Sequence, residues 1–427
     1  MDYHAWQMLY ERWRQIATEL RNHRALDDLA SGRSWTFREL FEAGESWPGS
    51  ASEIVCPRGN TAEFLLTLLA AWRETRVVCP LVPDSAAPDV PRLPSPCIHL
   101  KSTSATTGRP RLVAFTAEQL LADAENIVSL GLRRDWPNLG AISMAHSYGF
   151  SNLVLPLLLF GIPLILAKSG YPESIRQATE SGRNLVVPGV PALWHVWHEA
   201  GVISRNIRLA ISAGAPLPLE LEVAIFKSTG IKVHNFYGSS ECGGIAFDAA
   251  QVPRVEESFV GSALRNVRLE VDDTGCLRVQ SAAVGETYWP APSTSLRDGW
   301  FQTQDLGEVR NGAVRLRGRI TDVINVAGKK LSPELVERMV LEHPAVGACL
   351  VFGIPNQQPE RGDVVVASVV ARGPVTSENL RQFLLRKAPS WQIPKHWWFV
   401  DSIDPNGLGK VSRAKWRARY LVGSQSR

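Results

Sequence analysis

The chain has 427 residues, 45% apolar and 21% charged, so it is too long for one ordinary core and two or three globular domains are expected. A formal net charge of +4 carries no polyanion signature, and nucleic acid is not implied as a partner. Six cysteines (Cys56, Cys79, Cys97, Cys242, Cys276, Cys349) are scattered without a CxxC pair, which fits reduced thiols in a cytoplasmic protein better than disulfides or a zinc site.

The opening MDYHAWQMLYERWRQ lacks a basic stretch followed by an apolar core, so no secretory signal is expected. Trp6, Leu9, Trp13, Ile16 and Leu20 recur at helical spacing and predict a helix laying one stripe on a core. RSWTFREL (Arg33 to Leu40) predicts a strand turning into a helix, Phe64 to Trp72 a helix, and Arg76 to Leu81 a buried strand. A Pro-rich connector from Pro80 to Pro96 leads into KSTSATTGRPRLVAF, Lys101 to Phe115. Beyond it, Ala117 to Leu130 predicts a helix and AISMAHSYGF (Ala141 to Phe150) a strand ending in a turn. The apolar run Leu153 to Ala167 is broken by Pro156, Gly161 and Pro163 and is too short to span a bilayer. Strands at Pro163 to Ala167, Asn184 to Pro188, Leu209 to Ala213 and Val233 to Tyr237 then alternate with helices, the rhythm of a mostly parallel sheet. Ligands of such sheets sit at the carboxyl ends of strands, where SAGAPLP (Ser212 to Pro218) and NFYGSSECGG (Asn235 to Gly244) fall.

From about Pro253 the pattern shortens, and VDDTG and VRNGA read as hairpin turns of a small antiparallel β region over 253–318. A second change follows Arg319: Ser332 as cap and Pro333 at the first position start a helix, then two strands, a helix near Thr376 to Lys387 and a basic tail. The fold class read here is α/β, a large N-terminal domain (1–318) with βαβ sheets and a β subdomain, and a small mobile α+β C-terminal domain (319–427).

The 101–115 stretch suits a polyphosphate. Ser102, Thr103, Ser104, Thr106 and Thr107 offer hydroxyls, Gly108 permits a tight backbone, and Arg109 and Arg111 bring charge. It lacks the glycine and lysine spacing of a P-loop, and by itself it reads more readily as a solvated Ser/Thr turn, the reading that the later segments reverse.

Five segments in order resemble the superfamily of adenylate-forming enzymes: acyl- and aryl-CoA ligases, peptide-synthetase adenylation domains and firefly luciferase. They are STSATTGRPRLV, YGSSE (Tyr237 to Glu241), GWFQTQDLG (Gly299 to Gly307), GRITDVINVAGKKLSPELVE (Gly318 to Glu337) and PNGLGKVSR (Pro405 to Arg413). The resemblance implies that Thr103, Ser104, Thr106, Thr107, Gly108 and Arg111 hold ATP phosphates, with Gly214, Ala215 and Gly238 beside the nucleotide and Tyr237 on the adenine. It implies Glu241, with Thr106, as the Mg²⁺ site, Asp305 on the ribose hydroxyls and Arg319 at ribose or phosphate. Asp322 falls at the family's hinge and Lys410 at its adenylation lysine. His146 either gates the acid pocket or is a satisfied side chain. The pocket itself is expected from His146, Ser147, Tyr148, Trp194, Ala213, Gly214 and Gly243, and Gly328 lines a pantetheine tunnel.

Three positions depart from the family pattern: Ala105 and Gln304 replace glycines, and Arg111 replaces a lysine, which trades a point charge for a planar fork. About twenty residues separate VVCPL from the loop where longer relatives insert more α/β chain, so a trimmed N-terminal domain, an open site and docking or homodimerisation are expected. The expected cofactors are ATP, Mg²⁺ and CoA or phosphopantetheine. No Asp is placed to grip an α-amino group, so the acid is aryl or fatty, and CoA and a carrier protein both stay open as acceptor. A non-catalytic nucleotide- or acid-binding homologue is the alternative.

Overall fold

The computed structural model describes residues 3–88, 93–94, 96–103, 111–180, 182–356, 358, 362–403 and 411–424. The chain divides into two units, one comprising residues 1–270, 278–303 and 309–315, the other 271–277, 304–308 and 316–427.

The first unit opens with α1 (Tyr3–Glu19), β1 (Arg24–Asp28), β2 (Arg33–Thr36), α2 (Phe37–Ser46), β3 (Ile54–Val55), α3 (Ala62–Arg73), β4 (Val77–Val78), β5 (His99–Ser102), β6 (Leu112–Phe115) and α4 (Ala117–Val128). The stripe of α1 is used as expected, with Leu9, Trp13, Ile16 and Leu20 all buried; the Trp6 side chain lies outside the description. Thr36 with Glu39 and Thr116 with Gln119 form capping boxes, which is why α2 and α4 start where they do. Next come β7 (Asn138–Gly140), α5 (Ser147–Gly149), a π-turn (Phe150–Val154), α6 (Leu155–Phe160), β8 (Leu164–Leu166), α7 (Pro172–Glu180), β9 (Leu185–Gly189), α8 (Pro191–Glu199), β10 (Ile207–Ser212), α9 (Leu219–Thr229), β11 (Val233–Ser239), β12 (Gly243–Phe247) and β13 (Phe259–Ala263).

The sheet order β13-β12-β11-β10-β9-β7-β8-β1-β2 has a parallel middle from β11 to β1, with helical crossovers from β7 through to β11. The expected strand at 141–150 is not formed. The sheet strand is upstream at Asn138–Gly140, and the apolar run enters a helix whose closest approach is at Gly149, where a Cβ would lie 2.0 Å from the Ser143 carbonyl oxygen. The strand expected at 76–81 is regular only at Val77–Val78; Pro80 has no N–H for the ladder, and pairing resumes as a single parallel bridge of Leu81 with Arg58.

The remaining strands are β14 (Arg268–Val271), β15 (Cys276–Gln280), β16 (Thr287–Trp289), β17 (Leu296–Arg297), β18 (Trp300–Arg310) and β19 (Ala313–Arg319). The turn between β18 and β19 holds Asn311 and Gly312 at φ of 52° and 77°, the geometry a two-residue hairpin demands. A second sheet, β16-β6-β5-β4-β3, presents the β5–β6 hairpin.

The second unit carries β20 (Ile324–Val326), β21 (Lys329–Leu331), α10 (Pro333–Leu341), β22 (Val346–Pro355), β23 (Asp363–Ala371), α11 (Ser377–Leu385), β24 (His396–Phe399) and α12 (Arg413–Ser424). Its sheet, β22-β23-β24, buries Val351, Val365, Ala367 and Val369 with Val336, Val340, Leu380 and Leu384 of α10 and α11. Ser332 precedes α10 as expected, but its hydroxyl does not cap the helix; it donates to the Arg317 carbonyl and to Glu334.

Candidate active site

The β5–β6 pairing runs from His99 opposite Phe115 to Ser102 opposite Leu112, and one residue further the hairpin closes on Thr103 and Arg111. The Thr103 N–H donates to the Arg111 carbonyl at 2.8 Å and the Arg111 N–H to the Thr103 hydroxyl at 3.2 Å. These two residues form the neck of the loop. Ser104, Ala105, Thr106, Thr107 and Gly108 lie outside the described residues.

Pairing of β16 with β6 sets Tyr288 beside that neck. The Arg111 guanidinium lies 3.6 Å over the Tyr288 ring, and the Tyr288 hydroxyl donates to Glu241 Oε1 at 3.0 Å. Burial first, then the adjacent Glu241 charge, push the Tyr288 phenol up, so it remains a protonated donor. A cation, a phenol and a carboxylate therefore stand in a row. Tyr288 belongs to no motif, and no sequence signal singles it out.

Glu241 sits in the turn between β11 and β12, whose ends pair Gly238 with Gly244 and Ser239 with Gly243. Its N–H donates to the Ser239 hydroxyl, and its carbonyl accepts from the Gly285 N–H at 2.8 Å. Gly238 could not carry a Cβ, which would stand 2.6 Å from the Gly243 carbonyl oxygen; Gly243 itself has φ of 66°. Tyr237 is half-buried. Burial pushes the Cys242 thiol up, so it is a small inert neighbour of Glu241.

At the carboxyl end of β10, Ala213 is buried with its N–H on the Gly189 carbonyl; Gly214 follows with φ of 85° and Ala215 is half-buried. His146, Ser147 and Tyr148 are half-buried, the His146 carbonyl accepting from the Phe150 N–H. The Tyr148 hydroxyl reaches the Ile211 carbonyl at 3.4 Å, and its ring centroid is 6.3 Å from that of Phe236. Trp194 exposes no surface: its indole N–H donates to the same carbonyl at 3.1 Å and its ring stands edge-on to Trp197, the behaviour of a core residue.

In the second unit, Arg319 Nε donates to Asp305 Oδ1 at 2.9 Å. The Asp322 N–H bonds the Arg319 carbonyl, and Asp322 Oδ2 accepts from Arg413 at 2.9 Å. Arg413 also meets Glu334 at 3.0 Å and both oxygens of Glu337, a bidentate contact. With three carboxylates around one guanidinium, burial raises Glu337 to about 7 while Arg413 opposes the shift. Gly328, with φ of 82°, closes the β20–β21 turn, its N–H on the Asn325 side-chain oxygen. Lys410 lies outside the described residues. Arg413 was legible only as the last letter of its motif.

Among the described residues, no group of three or more His, Cys, Asp or Glu side chains is arranged to hold a metal. Mg²⁺ commonly takes one or two carboxylates, with phosphate oxygens and water completing the shell, so a single Glu241 fits an ion that arrives with a polyphosphate.

The family model described as AMP-binding enzyme matches residues 98–296, and that of the AMP-binding enzyme C-terminal domain matches residues 335–410. Feruloyl-CoA synthase of an Amycolatopsis species is 30% identical over 362 residues, 79% of this chain and 72% of that protein. The fatty acid–[acyl-carrier-protein] ligase ScoC of Streptomyces coeruleorubidus is 28% identical over 440 residues, 96% of this chain and 81% of that one. The crystal structure of ATP-bound MatB from Rhodopseudomonas palustris superposes with a TM-score of 0.83 at 21% identity, covering 96% of this chain and 99% of that one. The matched segments include the β5–β6 neck and the Glu241 turn, and the chain belongs to the family of AMP-binding, adenylate-forming enzymes.

Proposed function

We propose that this protein is an ATP-dependent acid–thiol ligase. In the first half-reaction an acid carboxylate attacks the α-phosphorus of ATP, forming an acyl- or aryl-adenylate and expelling pyrophosphate. In the second, the thiol of CoA or of a carrier protein's pantetheine attacks the adenylate carbonyl and AMP leaves. The observation that carries this reading is the row Arg111, Tyr288, Glu241 beside the loop neck, in a chain of this family.

Attack of one anion on another needs positive charge and an in-line pose. Mg²⁺ bound with ATP neutralises phosphate charge. Arg111, at the neck of the loop, would reach the β- and γ-phosphates, Tyr288 would orient Glu241, and Lys410 would offset charge at the α-phosphate. Asp305 and Arg319 would take the ribose hydroxyls. The small unit would turn about Asp322 between half-reactions, removing Lys410 and admitting the thiol beside Gly328.

The carboxylate nearest Gly243 is Asp123, and it is already paired with Lys101. At that point an α-ammonium would meet a carboxylate already held by Lys101, which favours an aryl or fatty acid. A feruloyl-CoA synthase and a fatty acid–[acyl-carrier-protein] ligase among the relatives support both acid classes and both acceptors. Among the described residues no helix is long and apolar enough to cross a membrane. The proposal further takes the enzyme to be cytoplasmic and dimeric, with a site open at its acid side, on the scattered cysteines and the short connector before the loop.

The test is a pyrophosphate-release screen over benzoates, cinnamates and fatty acids, with and without CoA. Acid-dependent release is expected; release with no acid, or ATP binding without turnover for any acid, would overturn the ligase reading.

A further inference from the structure

Beneath the Glu241 turn lies a buried charge pair that the reaction as described does not use. Lys101, on β5 two residues before Thr103, donates to Asp123 Oδ2 of α4 at 2.8 Å, the side chains being 2% and 0% exposed. The Ser151 hydroxyl, in the π-turn, donates to the same oxygen at 2.6 Å and lies 3.2 Å from the Lys101 ammonium. The ammonium also rests 4.6 Å from the centre of the Phe115 ring. Asp123 Oδ1 accepts no hydrogen bond among the described residues. It is pressed against Gly243, where a Cβ would stand only 2.1 Å from it.

Burying an ion pair is costly, and an apolar pair of equal volume often stabilises a core as well or better. Retaining this one therefore calls for something it specifies. Its two ends are attached to the two halves of the nucleotide site. Lys101 fixes the strand that ends in the Thr103–Arg111 neck, and Asp123 bars any approach of Gly243, hence of the Ser239–Gly243 turn, toward α4. Both charges also bear on Cys242, the neighbour of Glu241. A second link, from Arg111 through the buried Tyr288 to Glu241, spans the same two segments.

We propose that Lys101 and Asp123 are positioning residues for adenylation, setting the spacing between the phosphate-loop neck and Glu241 so that both meet one Mg²⁺–ATP. This rests on the ligase reading only for its nucleotide. The buried network of Lys232 with Glu222 and Asp248, and of Arg254 with Glu222, supplies a comparison: it ties α9 to the chain after β12 and touches neither the neck nor the Glu241 turn.

The experiment measures Mg²⁺–ATP binding by calorimetry, as a function of Mg²⁺, on the full chain and on K101M, D123N, K101R, the apolar pair K101M/D123L and the comparison D248N, with thermal unfolding of each. Weakening of Mg²⁺–ATP binding by tenfold or more is expected in K101M, D123N and K101M/D123L, with recovery toward the parent in K101R. K101M/D123L keeps a near-parental melting temperature, whereas D248N melts lower yet binds as the parent does. Parental Mg²⁺–ATP affinity in folded K101M/D123L would overturn the proposal and leave the pair a packing feature. Failure of the unaltered chain to bind Mg²⁺–ATP would instead overturn the ligase reading. If the single variants do not fold, K101M/D123L and K101R decide the matter.

Discussion

Glu241 has a phenol on one oxygen, and that phenol is held from the other side by Arg111. Tyr288→Phe removes the donor while keeping the ring, so the Arg111 contact survives and the carboxylate is left one hydrogen bond short. A loss of about 1 to 2 kcal/mol in transition-state stabilisation, roughly tenfold in kcat/KM for ATP, is expected in pyrophosphate release, with little change in melting temperature. Gly243→Ala is a harsher change. It places a Cβ at positive φ and against Asp123 Oδ1, and denaturant unfolding is expected to show a loss of about 2 kcal/mol or more. Residues inside motifs were visible in the sequence because glycine, hydroxyl and carboxylate stood at fixed spacing. Tyr288, Lys101 and Asp123 were not. Their roles arise from contacts between segments far apart in the chain, which spacing cannot report.

Strands and helices show the same division. The βαβ rhythm from β8 to β11 was readable from short apolar runs, and the hairpin at Asn311–Gly312 from its turn residues. The stretch at 141–150 was misread because an apolar run of that length suits a strand or a buried helix equally, and only packing of Gly149 on Ser143 decides. At this scale Gly149→Ala is expected to unfold the region around α5, read as a lowered melting temperature and loss of hydrogen-exchange protection in α5 and α6. The Arg413 cluster gives a pH prediction. Glu337 binds its proton more tightly folded than unfolded, so between its ordinary pKa near 4.5 and about 7 the native unit holds more protons than the unfolded chain, and stability falls as pH rises. Urea titrations across that window are expected to show a slope approaching about 1.4 kcal/mol per pH unit, abolished in Glu337→Gln.

For the molecule as a whole, five ordered segments were enough to read the family and the two-part architecture, because a reaction on ATP constrains residues along most of the chain. What remained hidden is what holds those segments at the right separation. The division between adenylation and thiol transfer is open to test with Lys410→Ala, which is expected to lower acid-dependent pyrophosphate release by about 10²-fold or more while sparing thioester formation from a synthetic acyl-adenylate. Survival of both half-reactions would remove Lys410 from the chemistry.

Arg413 stands three residues after Lys410 and grips Asp322 together with the two glutamates of α10. On the hinge proposed at Asp322, the chain that follows Lys410 is thus moored to the pivot. Should the small unit swing as proposed, Arg413 would travel with the pivot, and the lysine's arrival would be tied to that turn as its cargo. Cutting the mooring with Arg413→Met strands three carboxylates and lowers the melting temperature of the small unit, and in the folded fraction the first half-reaction is expected to slow more than the second, read as pyrophosphate release against thioester formation from a synthetic acyl-adenylate.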